Sequence, residues 1–346
     1  MIFNATRMRR LGTLLERTTA EAMLVTNPKN IKYLCQQDGT FLLIVKDGFH
    51  VFRPPMVGYH DQTKVLLDEV VEVIKSYGLR FIGIESSHCS IQDYTMLTER
   101  YPDIGWIPLK GLVEQLRMVK DKEEISLLRL ACQIAADSWY SLGDRTARAE
   151  KDIALNLEWN ARIRGAEGLS FSPMGVASGP RSSIVHGIPT ERHAKPGEGI
   201  VVDFGVQYQG YMSDETVTVL ADEGALPSWK DYWKIRECVY EAQQRAIEMI
   251  KPGRQASEID RVARSIIERA GYGPNFPHNS GHGVGLDVHE LPMVGPGPSS
   301  DIILEEGMVI TVEPGIYIPG QGGVRIEDML LVTELGCEQL TMITKS

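Results

Sequence analysis

The sequence predicts an α+β protein of two domains, a smaller mixed α/β domain over residues 1–115 and a larger domain over residues 116–346. Three observations lead there. The length of 346 residues suits about two domains and can bury a real core. The formal charge of -10 is unevenly placed: residues 1–115 carry 13 basic and 13 acidic side chains, so the whole excess lies in the remainder. The early part alternates short apolar runs with helical segments, whereas the later part has long amphipathic helices followed by strands.

Composition narrows the function. With 43% apolar and 24% charged residues the chain reads as an ordinary globular protein. An acidic chain without a Lys/Arg run argues against nucleic acid or an anionic membrane as partner. No stretch approaches the roughly 20 apolar residues that span a bilayer. Residues 1–7 are not followed by an apolar core of signal-peptide length. Cys35, Cys89, Cys132, Cys238 and Cys337 are odd in number and far apart. They read as unpaired thiols, and the expected compartment is the cytoplasm.

The elements follow in order. Ala22-Met23-Leu24-Val25-Thr26 reads as a strand ending at Asn27-Pro28. Phe41-Leu42-Leu43-Ile44-Val45 and Phe49-His50-Val51-Phe52 flank Asp47-Gly48, a hairpin signal. Residues 61–76 have helical spacing, and Phe81-Ile82-Gly83-Ile84-Glu85 is another strand. Asp121 is the expected N-cap of a long helix, with Glu123 and Glu124 in its first turn. Ile125, Leu128, Cys132, Ala135 and Trp139 form its buried stripe. Further helices are expected over residues 229–250 and 256–269, and strands over residues 199–206, 211–220, 308–318 and 324–333. Helices followed by paired strands occur twice, which hints at two related halves.

Four carboxylates stand out because they interrupt apolar strands. Asp203 lies in Val201-Val202-Asp203-Phe204-Gly205 and Asp214 in Tyr211-Met212-Ser213-Asp214-Glu215-Thr216. A turn at residues 207–210 would make these strands antiparallel neighbours. Glu313 ends Val309-Ile310-Thr311-Val312-Glu313-Pro314-Gly315, and Glu327 lies inside Val324-Arg325-Ile326-Glu327-Asp328. Residues two apart share a strand face, so Arg325 and Glu327 should point the same way. A lone carboxylate is costly to bury unless it is paired or bound to a cation. Two cations of charge +2 would balance four carboxylates. The third element, His278-Asn279-Ser280-Gly281-His282-Gly283-Val284-Gly285-Leu286-Asp287-Val288-His289-Glu290, is too glycine-rich for a regular helix. It is neither a zinc H-E-x-x-H motif nor a phosphate loop.

Together these segments resemble the pita-bread metallopeptidases, the family of Xaa-Pro aminopeptidase, Xaa-Pro dipeptidase (prolidase) and methionine aminopeptidase. The dinuclear metal ligands of that family map onto Asp203 in VVDFG, Asp214 in YMSDET, His282 in SGHGVG, Glu313 in TVEPG and Glu327 in VRIED. The resemblance extends through residues 117–124 (RMVKDKEE), Ser178-Gly179 and Ile184-Val185-His186-Gly187. Asn30-Ile31-Lys32-Tyr33-Leu34 is similar to the amino-terminal region of the proline-specific branch, so nearly the whole chain is covered.

The resemblance implies a pita-bread catalytic domain preceded by a creatinase-type amino-terminal domain. It implies a homodimer, with the first domain supporting dimerisation and restricting the cleft to short peptides. The implied reaction is hydrolysis of an Xaa-Pro bond in a short peptide or dipeptide by two-metal activation of a bridging water. Glu313 would accept and shuttle the proton, and His289 would help stabilise the oxyanion. His186 would close over the substrate, His278 would line the pocket, and Arg325 would hold neighbouring carboxylates. The mixed carboxylate and imidazole ligation suits manganese, and cobalt, iron and zinc fit the same donors. His50, His60, His88 and His193 read as solvated residues, and Asp287, Glu290 and Asp328 as supporting or exposed ones. Where the family commonly has Thr-Arg-Thr, this chain reads Thr216-Val217-Thr218. That change bears on charge compensation, subunit contact or substrate preference. Alternatives are a same-fold hydrolase of a non-peptide amide or amidine, as in creatinase-like or ectoine-hydrolase-like relatives, methionine-aminopeptidase-like activity, and a binding module without catalysis.

Overall fold

The computed structural model describes residues 5–46, 48–53, 62–143, 148–222 and 224–345. They form two compact units, Met1–Arg117 and Met118–Ser346. In the first, a five-stranded sheet has the spatial order Gly48–Phe52, Phe41–Val45, Ala22–Val25, Phe81–Glu85, Gly105–Leu109. Neighbours among the first three strands run antiparallel, and the last two strands join in parallel. Phe41–Val45 and Gly48–Phe52 pair with Val45 opposite Gly48. The turn residue Asp47, the first residue of the expected helix (Asp61) and His60 lie outside the described residues. The helix Gln62–Ser76 buries Leu66, Val70, Val71 and Ile74 against this sheet's core. Asn27-Pro28 does more than end a strand. Asn27 Oδ1 accepts from the Lys29 amide and caps the helix Pro28–Cys35, whose first residue needs no amide partner.

The second unit opens on the helix Lys122–Tyr140. Asp121 Oδ1 accepts from the amides of Glu123 and Glu124, and Glu124 Oε2 accepts from the Asp121 amide. This reciprocal cap explains why the helix starts where it does. Leu128, Cys132, Ala135 and Trp139 are buried as the spacing requires, whereas Ile125, in the first turn, is only half-buried. With Glu150–Ile163, this helix covers the sheet Glu215–Leu220, Gly199–Phe204, Gly175–Ser178, sharing a core with Val176, Val202 and Phe204. Helices Tyr232–Ile247 and Ala256–Arg269 repeat the plan. They share a core with Val309–Val312 and Asp328–Val332 of a five-stranded sheet that also holds Gly281–Gly283. Two helix pairs thus each back an antiparallel layer, of three strands in the first case and five in the second. No helix among the described residues is long and apolar enough to cross a membrane.

The long strands expected in this unit are each broken in two. Residues 199–206 divide into Gly199–Phe204 and a separate strand Val206–Tyr208, and residues 211–220 into Tyr211–Met212 and Glu215–Leu220. Likewise Val309–Val312 is separated from Gly315–Ile318, and Gly322–Arg325 from Asp328–Val332. Glu327 therefore sits in a gap between strands instead of inside one. The same is true of Asp214 and Glu313. Local sequence shows continuous apolar runs, whereas the breaks arise from where each half-strand finds its partner.

Candidate metal centre

Three of the four gaps release a carboxylate from the strand plane and tie its backbone elsewhere, while Asp203 stays within Gly199–Phe204. The Asp214 amide donates to Met329 Sδ at 3.1 Å, the Glu313 amide to Ser280 O at 2.7 Å, and the Glu327 amide to Thr216 O at 3.1 Å. Gly205 makes the first gap possible. A Cβ there would lie 1.8 Å from Ser213 O, so only glycine lets the two strands cross this closely. Gly281 does the same for His282, since its Cβ would lie 2.0 Å from Thr311 O. With that close approach the His282 amide donates to Thr311 Oγ1 at 3.1 Å.

The side chains converge on one cavity of about 470 Å³ that includes Asp203, Asp214, His282, Glu313 and Glu327 in its wall. Asp214, His282 and Glu327 each offer a ligand atom, all within 4.8 Å of one another. His282 Nε2 lies 3.6 Å from Asp214 Oδ2 and 3.5 Å from Glu313 Oε1. Its Nδ1 lies 3.1 Å from Gly283 O, an acceptor, so Nδ1 carries the hydrogen and the Nε2 lone pair faces the carboxylates. Burial drives the His282 pKa down to about 3, so the imidazole is neutral, the form that binds a metal.

Burial, and then the neighbouring carboxylates, push Asp214, Glu313 and Glu327 upward. Asp214 Oδ1 is buried with no hydrogen-bond partner among the described residues. A buried acceptor of that kind is costly unless something positive occupies the space beside it. Oxygen donors with one imidazole are the donor set of divalent cations, and the residues present fit such ions.

Arg325 braces the cavity wall. Its Nη2 donates to Asp203 Oδ2 at 2.5 Å, Nη1 to Tyr317 Oη at 2.8 Å and to Val185 O at 3.0 Å. Nε donates to Thr216 Oγ1 at 3.0 Å, and that hydroxyl donates onward to Glu327 Oε2 at 2.6 Å. Arg325 and Glu327 thus share a face as expected and are bridged by Thr216. His278 is engaged at both ring nitrogens, Nδ1 with Asn279 O at 2.7 Å and Nε2 with Tyr317 Oη at 2.9 Å. Carbonyl O only accepts, so Nδ1–H donates and Tyr317 donates to Nε2. Burial first, then Arg325, lowers the His278 pKa to about 4, consistent with this neutral form. His278 therefore lines the cavity while bracing Tyr317. His289 packs edge-on against His282 with ring centroids 4.3 Å apart, and both His289 and His186 are exposed at the cavity.

Several contributors carry no local signal. Tyr317 and Thr216 relay Arg325 to His278 and to Glu327. Glu150 is buried and accepts from Ser178 N and Oγ (both 2.8 Å) and from Thr190 N and Oγ1 (3.0 and 2.6 Å). Burial raises its pKa, but the Thr190 and Ser178 donors together hold the carboxyl below its ordinary value. These bonds bracket the segment that carries His186. Asp260 likewise accepts from Ser280 N and Oγ and pairs with Arg264, fixing the turn before His282.

Val217 faces away from all of this. Thr216 and Thr218 bond to Arg325 on the cavity side, and strand alternation sends Val217 into the core with Val202 and Phe204, where it is 2% exposed. Val217→Ala is expected to cost about 1–3 kcal/mol of stability by urea unfolding. It should leave kcat/KM unchanged; a selective loss of activity would show that this face does reach the site.

A family model for metallopeptidase family M24 matches residues 126–334, and one for the creatinase/prolidase N-terminal domain matches residues 7–119. The chain belongs to metallopeptidase family M24. It is 33% identical to an Xaa-Pro dipeptidase of Pyrococcus furiosus over 97% of each chain. Among solved structures it is similar to an Xaa-Pro dipeptidase from Bacillus anthracis, with 34% identity, TM-score 0.89 and 98% of each chain covered. It is also similar to an X-Pro aminopeptidase from Thermotoga maritima, with 31% identity, TM-score 0.84, and 97% and 99% of the two chains covered. The expected family and fold are borne out: this is a creatinase-type amino-terminal domain followed by a pita-bread M24 domain, in a family that works with divalent metal ions.

Proposed function

We propose that this M24 protein hydrolyses the Xaa-Pro bond of short peptides or dipeptides with two divalent cations, manganese first among them. Asp203, Asp214, His282, Glu313 and Glu327 would hold the ions. The observation that carries the reading is the convergence of buried carboxylates on the Nε2 lone pair of His282, beside the unpartnered Asp214 Oδ1. When bound, the ions acidify a water and polarise the scissile carbonyl.

The remaining tasks fall to side chains. Glu313 accepts the proton of the attacking water and passes it to the leaving nitrogen. His289, at the cavity surface beside His282, donates to the developing oxyanion. His186, on the segment braced by Glu150, closes over the substrate. Phe171, Met174, Val185, Ile188 and Met293 supply an apolar wall suited to a pyrrolidine ring. Arg325 holds Asp203 and, through Thr216, Glu327. We also assign the protein to the cytoplasm, in keeping with five free cysteines, and to a homodimer in which the first domain supports dimerisation and restricts the cleft to short peptides.

The test is hydrolysis of Xaa-Pro dipeptides, Xaa-Pro-Yaa peptides and Xaa-Ala controls by purified, manganese-loaded protein. Cleavage before proline, with the controls left intact, is expected. Metal-loaded protein that cleaves none of them would contradict the reading. Cleavage of the dipeptides alone would make it a dipeptidase, and cleavage of longer peptides an aminopeptidase.

A further inference from the structure

Behind the metal centre lies a buried ion cluster that the proposed chemistry does not use. Glu215 and Asp328 directly follow the ligands Asp214 and Glu327 and open the strands Glu215–Leu220 and Asp328–Val332. Neighbouring residues of an extended chain point to opposite sides, so these two acids turn away from the cavity. Both are essentially buried, at 0% and 1% exposure. Between them sits Lys345. Its Nζ lies 2.6 Å from Glu215 Oε1 and 3.6 Å from Asp328 Oδ1, and its side chain is 7% exposed.

The surroundings hold this arrangement firmly. Ile343 N donates to Glu215 Oε1 at 3.2 Å, and Arg236 Nη2 donates to Lys345 O. Asp328 accepts from Gln243 Nε2 at 2.8 Å, Gln339 Nε2 at 2.9 Å and Thr341 Oγ1 at 2.6 Å. Glu215 Oε2, by contrast, is buried with no hydrogen-bond partner among the described residues, which leaves Lys345 as the charge that offsets this carboxylate. The two acids are far apart in sequence, and one ammonium joins them.

We propose that Lys345 is a positioning residue for the metal centre: by gripping Glu215 and Asp328 it sets the spacing of the two strand ends from which Asp214 and Glu327 reach the ions. The proposal rests on the metal-site reading given above. Burial lowers and the acids raise the Lys345 pKa, and the acids prevail, so the ammonium stays charged in place. The positive field also reaches Glu327 itself. Outer partners that orient ligands typically govern metal affinity by about 10–100-fold.

The experiment compares wild type, Lys345→Met and Lys345→Arg, by calorimetric titration of the metal-free chain with Mn²⁺ and by the visible absorption of bound Co²⁺. Lys345→Met is expected to weaken the tighter Mn²⁺ site by about 10–100-fold and to alter the Co²⁺ spectrum, and Lys345→Arg to restore much of the affinity. Wild-type affinity and spectrum in folded Lys345→Met would overturn the proposal, leaving Lys345 a stabilising contact only. If Lys345→Met does not fold, Glu215→Gln carries the same test, with the same loss expected and wild-type affinity again overturning it. Failure of the wild type to bind either ion would instead sink the metal-site reading.

Discussion

His282→Ala is expected to lower kcat/KM on Xaa-Pro substrates by more than about 100-fold and to reduce the metal bound per chain. The magnitude follows from position. Mutating mere outer partners of metal ligands costs about 10–100-fold, and His282 supplies an imidazole donor that faces both Asp214 and Glu313. Packing should survive, because removing the ring leaves its amide bonded to Thr311 and its strand paired to the neighbours. The loss should therefore appear in metal content and kcat/KM while the circular dichroism spectrum is retained. A folded His282→Ala chain that keeps full metal content and activity would contradict the ligand assignment.

Arg325→Ala should produce the largest loss of stability of any single change at the site. Arg325 and Asp203 form a largely buried pair with side-chain exposures of 3% and 17%, and the guanidinium also serves Tyr317, Val185 and Thr216. Breaking a buried pair by removing one partner costs about 3–5 kcal/mol, because the other charge is left uncompensated. Here the uncompensated groups include Asp203 and, through Thr216, Glu327. Urea unfolding of the chelator-treated chain should show that loss, and Arg325→Lys should recover little, since an ammonium cannot reproduce the planar fork that bonds in three directions. An unchanged unfolding midpoint for Arg325→Ala would refute the scaffold role. Activity should fall as well, with the Glu327 side of the site no longer braced.

The five residues mapped as ligands were visible in the sequence for a physical reason. Asp203 between Val202 and Phe204, or Glu313 after Val312, is a charge placed where only burial can follow, and burial demands a cation. Helix periodicity likewise located Lys122–Tyr140 and Ala256–Arg269, and Asp121 announced its own cap. The strand breaks were not visible. Apolar runs look continuous around Asp214, Glu313 and Glu327, and only the pairing of distant segments, with Gly205 against Ser213 and Gly281 against Thr311, decides where each run must split. Tyr317, Glu150 and Lys345 were silent for a related reason: each has a partner far away in the sequence (His278 for Tyr317, Ser178 for Glu150, Glu215 for Lys345), and nothing in the adjoining sequence marks them. The direction of Val217 could be inferred from alternation with Thr216 and Thr218, but which face met the site required the position of Arg325.

Activity on Xaa-Pro bonds should depend on divalent ions held by Asp203, Asp214, His282, Glu313 and Glu327. Elemental analysis of the purified wild-type chain, paired with Xaa-Pro hydrolysis before chelation, after chelation and after Mn²⁺ is restored, tests it most directly. Two metal ions per chain are predicted, with activity lost when they are removed and regained when they return. Undiminished Xaa-Pro hydrolysis by fully metal-free protein would show that the ions are not needed for the reaction.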